Sequence, residues 1–200
     1  AGGGCNLAWG QQVSGPVWLK VTRVGDSFLG YYSTDGNVWT QVGTAQTIAM
    51  DGSAEAGLAV TAHNNSTTTS ATFTNVNVLE SQEYQLVDRD IGSPGLAGSS
   101  SFDGTTWTVN GSGSNIFFAS DQFNFASDEL TGDCEIITRV ESVENTDGYA
   151  KAGVMLRNDT SAGSVYAAAV ATPYNGINFQ WRSTTGGDTS ESFISGVTGP

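Results

Sequence analysis

The chain has 200 residues, with 20 acidic side chains against 7 basic ones, a formal charge of −13, one His and two Cys. That balance excludes a nucleic-acid binder, which needs a basic face to displace counterions from phosphate, and a partner for anionic membrane surfaces. Charged residues make up only 14% and Gly numbers 26, while 38% apolar content suffices for a core, so the composition is that of a polar-surfaced, turn-rich β-protein.

No apolar run approaches the ~20 residues of a membrane span. The chain opens with Ala1 rather than Met, so a leader would have been removed by processing or truncation. In chain order, short β-rich runs alternate with Gly/Asn/Asp/Ser turns. Residues 17–23 lead through Val24-Gly25-Asp26 into 27–33, which meets 38–42 across Thr34-Asp35-Gly36-Asn37, a hairpin signal because Gly accepts φ > 0. Strands are expected at 57–63, 70–78, 106–109, 122–125, 135–141, 150–157, 164–172 and 177–183. The Ala-rich run 162–172 tempts a helix assignment, but Gly163, Pro173 and its strong flanking strands favour a central strand. Roughly a dozen strands with short turns predict a sandwich or jelly roll.

The two ends match. Gly2-Gly3 … Val13-Ser14-Gly15-Pro16 aligns without gaps on Gly186-Gly187 … Val197-Thr198-Gly199-Pro200, at a constant offset of 184, with Trp9 on Phe193. Residue 200 thus returns to the place in a repeat that residue 16 occupied, and the chain spans slightly more than one period of a tandem array.

Pro16–Arg23, Tyr32–Trp39, Gly57–Asn65 and Ala71–Val76 resemble the C-terminal half of the concanavalin A-like (laminin-G-like) sandwich module found in tandem in large secreted bacterial proteins. Asp90-Ile91-Gly92, Gly111-Ser112-Gly113, Ser120–Phe123, Thr131-Gly132-Asp133, Lys151–Arg157 and Phe179–Arg182 resemble its N-terminal half. The resemblance implies an all-β jelly-roll sandwich in permuted order: residues 1–78 the second half of one module, 79–88 a linker, 89–200 the first half of the next. A lone half-sandwich would expose open edges and an apolar face. Either the halves close within one chain, or they pair between neighbouring chains as a head-to-tail fibre, or the parent chain is longer.

Chemistry is sparse. His63 is the single histidine, so a triad or His-based zinc site lacks partners. The glucanases of the resembling superfamily use carboxylates spaced as Glu-x-Asp-x-x-Glu; Asp133-Cys134-Glu135 lacks the third acid, so an enzyme is not expected. Calcium is the one cofactor left open, through turn carboxylates at Asp103, Asp121 and Asp133 and the Asp128/Glu129 pair. The family's common Asp-Ile-Trp run is Asn115-Ile116-Phe117 here, and Asn124 stands where a His is common. Aromatic platforms flanked by amides, at Trp9, Tyr174, Asn175, Trp181 and Arg182, are candidates for glycan contact. Trp18, Trp39 and Trp107 read instead as core or turn packing. Asn64, Asn65, Asn110 and Asn158 open glycosylation triplets.

These features lead to an extracellular or cell-surface structural and adhesive repeat module whose partners are neighbouring copies of itself. The rival is a carbohydrate-binding module of a secreted glycan-acting protein. Exported chains meet oxidising conditions, so Cys5 and Cys134, which fall in opposite halves of the module, are expected to form a disulfide, within a chain or between chains.

Overall fold

The computed structural model describes residues 15–78 and 85–194. They form fourteen strands: β1 (Val17–Val24), β2 (Ser27–Ser33), β3 (Thr40–Thr47), β4 (Ser53–Thr61), β5 (Asn64–Val78), β6 (Val87–Ile91) and β7 (Ser99–Phe102), then β8 (Thr106–Gly113), β9 (Phe123–Thr131), β10 (Cys134–Val143), β11 (Lys151–Arg157), β12 (Tyr166–Ala171), β13 (Ile177–Arg182) and β14 (Ser190–Ile194). Two seven-stranded antiparallel sheets result, ordered β3-β2-β1-β10-β5-β8-β7 and β14-β13-β12-β11-β4-β9-β6. The fold is an all-β two-sheet sandwich, as the strand pattern predicts, and among the described residues no helix is long and apolar enough to cross a membrane.

Alternation explains the first sheet. In β1, Val17, Leu19 and Val21 enter the core while Trp18, Lys20 and Thr22 take the outer face. The turn after β2 is closed by Asp35, whose Oδ1 accepts the N–H groups of Asn37 and Val38. Gly36 sits at φ 75°, and a Cβ there would stand 2.8 Å from the Trp18 indole, so Trp18 packs onto the turn.

The centre of the second sheet is buried on both faces, which is why β11 and β12 read as continuous apolar runs rather than alternating ones. Ala152, Val154, Leu156, Ala167, Ala169 and Phe179 point into the main core. Met155, Tyr166, Ala168, Val170, Phe123 and Phe125 point the other way, into a second apolar cluster completed by Ile116. Ile116 belongs to the β8–β9 connection, residues 114–122, which folds back over this outer face. The Ala-rich run is thus an interior strand whose small side chains admit a layer on either side.

Strands from both sides of residues 79–84 share both sheets. β10 lies between β1 and β5, Val17 pairing with Val140, and β4 lies between β11 and β9. The last two residues of the expected linker, Val87 and Asp88, already belong to β6. The short strands β6, β7 and β14 are absent from the sequence-based reading. Each lies at a sheet edge and exposes most of its residues, so no alternation marks it.

Candidate functional site

The outer face of the second sheet collects most of the polar chemistry that is out of solvent. Its residues follow from the register. Lys151 of β11 lies opposite Thr61 of β4, and Gln180 of β13 opposite Glu191 of β14. Lys151 is only 3% exposed. Its Nζ donates to Asn115 Oδ1 at 2.6 Å and stands 5.9 Å from the centre of the Phe117 ring. Burial pulls its pKa down to about 8, against the opposing fields of Glu191, Asp147 and Asp121. Gln180 Nε2 donates to Glu191 Oε2 at 3.2 Å, and the buried Oε1 of the same amide has no partner. An orphaned buried acceptor is a cost that a bound donor would remove.

One end of this face is bounded by His63, whose Nδ1 lies 3.2 Å from Asp147 Oδ1 and whose ring tilts against Tyr149. His63 holds a φ of 53°, a backbone conformation uncommon outside Gly and Asn. Burial, then the positive field of Lys151, lowers its pKa, and Asp147 partly restores it. Beside it Asn175 donates from Nδ2 to the Gly148 carbonyl at 2.6 Å, and Asn178 Nδ2 donates to the Asn175 carbonyl. Tyr174 is exposed, its hydroxyl accepting from Asn145 Nδ2 at 2.7 Å.

The other end is closed by a buried ion cluster. Arg182 makes a bidentate pair with Asp121, Nη1 to Oδ2 at 2.8 Å and Nη2 to Oδ1 at 2.7 Å. Its Nε donates to the Gly187 carbonyl and its Nη2 to that of Phe118. Arg157 Nη1 approaches Asp121 at 3.6 Å, and all three side chains are fully buried. Burial pushes the Asp121 carboxyl up, while the Arg182 hydrogen bonds and the charges of both guanidiniums pull it back. This cluster fastens the 114–122 connection over the sheet.

The sequence-derived glycan candidates therefore separate. Tyr174 and Asn175 lie side by side at the face. Trp181 turns inward and packs against the main core, tilted on Phe179. Arg182 is withdrawn from solvent with its guanidinium engaged by several acceptors, because it counters the buried Asp121 carboxylate that the connection itself carries. Trp9 lies outside the described residues.

Among the calcium candidates, Asp121 is consumed by that ion cluster. Asp103 Oδ1 accepts the N–H groups of Thr106 and Thr105, bonds that hold its carboxyl below the usual range. Asp133 Oδ1 accepts the Gly25 N–H at 2.7 Å. Asp128 accepts the N–H groups of Gln85 and Glu129. Among the described residues no three His, Cys, Asp or Glu side chains converge on a metal position.

Asn64 and Asn65 are exposed, whereas the amide nitrogens of Asn110 and Asn158 are engaged by Ser99 and Asp51. Cys134 is buried at the first position of β10, opposite Arg23; Cys5 lies outside the described residues. Lys151, Asn115 and Gln180 fall in motifs of the sequence reading, but neither they nor Glu191 were singled out there as site residues. The available signal was a lysine at the head of the otherwise apolar run 151–156, since a charge placed in such a run must find a buried partner.

No family model, no curated protein and no solved structure matches the chain.

Proposed function

We propose that the chain is a non-enzymatic, extracellular structural or adhesive repeat module, a permuted jelly roll of the concanavalin A-like kind that joins head to tail with copies of itself in a surface polymer. The observation that carries this reading is the gap-free match of residues 2–16 to 186–200. The second copy of that segment contains β14, the edge strand against β13. Residues 6–10 correspond to Ser190–Ile194. Delivered by a neighbouring chain, they would compete for the place beside β13, with Trp9 where Phe193 stands. Strand exchange of this kind replaces the main-chain hydrogen bonds of one edge strand by those of another and, being heterologous, propagates rather than closes. The test is electron microscopy of native material. Fibres are expected; isolated particles at high protein concentration would overturn the reading.

A second reading, a carbohydrate-binding module, draws support from the unpartnered Gln180 Oε1 on the same face as Lys151 and Glu191, with Tyr174 exposed nearby. Glycan-array binding that is lost in Tyr174→Ala or Gln180→Leu would favour it over the first.

A further inference from the structure

We propose that Lys151 and Asn115 are joined by a self-formed amide bond between their side chains, so that the 114–122 connection is covalently fixed to β11. The geometry carries the inference. The amine stands 2.6 Å from the Asn115 carboxamide oxygen, and the carbonyl carbon is one C=O bond away from that oxygen. With a bond length of about 1.2 Å, the carbon falls within roughly 3–4 Å of Nζ, at the edge of the near-attack range.

Both partners are held from behind. Lys151 is set by its pairing across β4, and Asn115 by a bridge to Gln122, whose N–H donates to the Asn115 carbonyl at 2.8 Å. Two groups immobilised in this way react as though at very high mutual concentration. The surroundings also suit the amine as nucleophile. Lys151 is nearly inaccessible to water, with Phe117 against it and Ile116 in the adjoining apolar cluster. The same burial that lowers its pKa to about 8 leaves roughly a tenth of it uncharged at pH 7 and about half at pH 8.

The step balances without any co-reactant. The Lys151 nitrogen bonds to the Asn115 side-chain carbonyl carbon, and the bond from that carbon to Asn115 Nδ2 breaks. One amine proton passes to the departing nitrogen, which leaves as ammonia, and nothing is oxidised or reduced. Three carboxylates act on the amine through space, Glu191 most strongly, then Asp147 and Asp121. His63 and its partner Asp147 lie on the same side and complete the titratable groups around the amine.

The inference does not depend on polymerisation; a monomeric binding module would carry the same bond. It is tested by intact mass measurement of the purified, denatured full chain. The expected mass is lower than the sequence mass by one ammonia, about 17 Da. A proteolytic map should contain a branched peptide joining the segment with Asn115 to the segment with Lys151. Lys151→Arg and Asn115→Ala should each have the full mass of their own sequence. Full mass for the unsubstituted chain after long incubation at pH 8–9 would overturn the proposal, as would a 17 Da loss that persists in Lys151→Arg. Because the unsubstituted chain itself gives the deciding result, a variant that fails to fold does not protect the idea.

Discussion

Removing the Asp121 carboxylate would leave Arg182 and Arg157 buried with no counter-charge between them. Asp121→Asn is therefore expected to cost about 3–5 kcal/mol, the usual penalty for breaking a buried pair from one side. Urea denaturation gives the magnitude, and amide exchange across 117–121 should accelerate even where the variant remains folded. His63 supplies a second residue-scale test, because a chain with one histidine gives one imidazole titration. Its midpoint should lie below the ordinary value of 6.5, and Asp147→Asn should lower it further by removing the group that holds it up. A folded pKa below the unfolded one means that the unfolded chain takes up this proton first. The stability His63 contributes is thus complete above pH 6.5 and declines as pH falls toward its folded midpoint. Conversion of Lys151 to a neutral amide would remove the nearest positive field and shift the same midpoint upward, which an NMR titration of Lys151→Met, a variant with that charge deleted, would reproduce.

At the scale of strands, the two sheets interlock by matching large groups against small. Gly30 of β2 faces Phe179 of β13, and a Cβ at Gly30 would stand 2.2 Å from the ring. Gly30→Ala should destabilise by about 1–3 kcal/mol through overpacking. Gly52, with nothing within 4 Å and no positive φ, should accept Ala within about 0.5 kcal/mol. Thermal melts of the two variants side by side measure the contrast. The same scale explains what was legible beforehand. β1 and β2 declare themselves through alternation and the Asp35-Gly36 turn, and β11 and β12 through continuous apolar runs, because one or both faces of each are buried. The face that carries Lys151 and Gln180 was not legible. It exists only because residues 114–122, a stretch with no periodicity, fold back over strands up to 64 residues away in sequence, held there by pairs such as Asp121–Arg182 and Lys151–Asn115. Trp181 illustrates the complementary error. An aromatic near a strand end looks like a platform until the register decides which face it takes, and the register turns it inward.

For the whole molecule, a charge of −13 has a direct bearing on self-association. If copies join head to tail as proposed, they do so against mutual repulsion, and polymerisation should strengthen as added salt screens it; light scattering from 10 to 300 mM salt, about the range over which the screening length shrinks several-fold, would detect it. A bridge between Cys5 of one copy and Cys134 of the next would then act as a covalent rivet. Non-reducing electrophoresis is expected to give a ladder that collapses on reduction; complete alkylation of both thiols without denaturant would eliminate the bridge. One further consequence comes from the seat of β10 between β1 and β5. The first strand of the described fold has no partner on that side until residues 134–140 have been synthesised. The apolar face of the β1–β3 ribbon stays uncovered for longer still, because the strands packed against it, β11–β14, follow β10 in the chain. Nascent chains should consequently wait, remain vulnerable to sticking, and reach the native state slowly, on the millisecond-to-second scale or beyond that long-range β pairing imposes. The architecture favours late closure, once residues 134–194 have emerged, over progressive folding strand by strand.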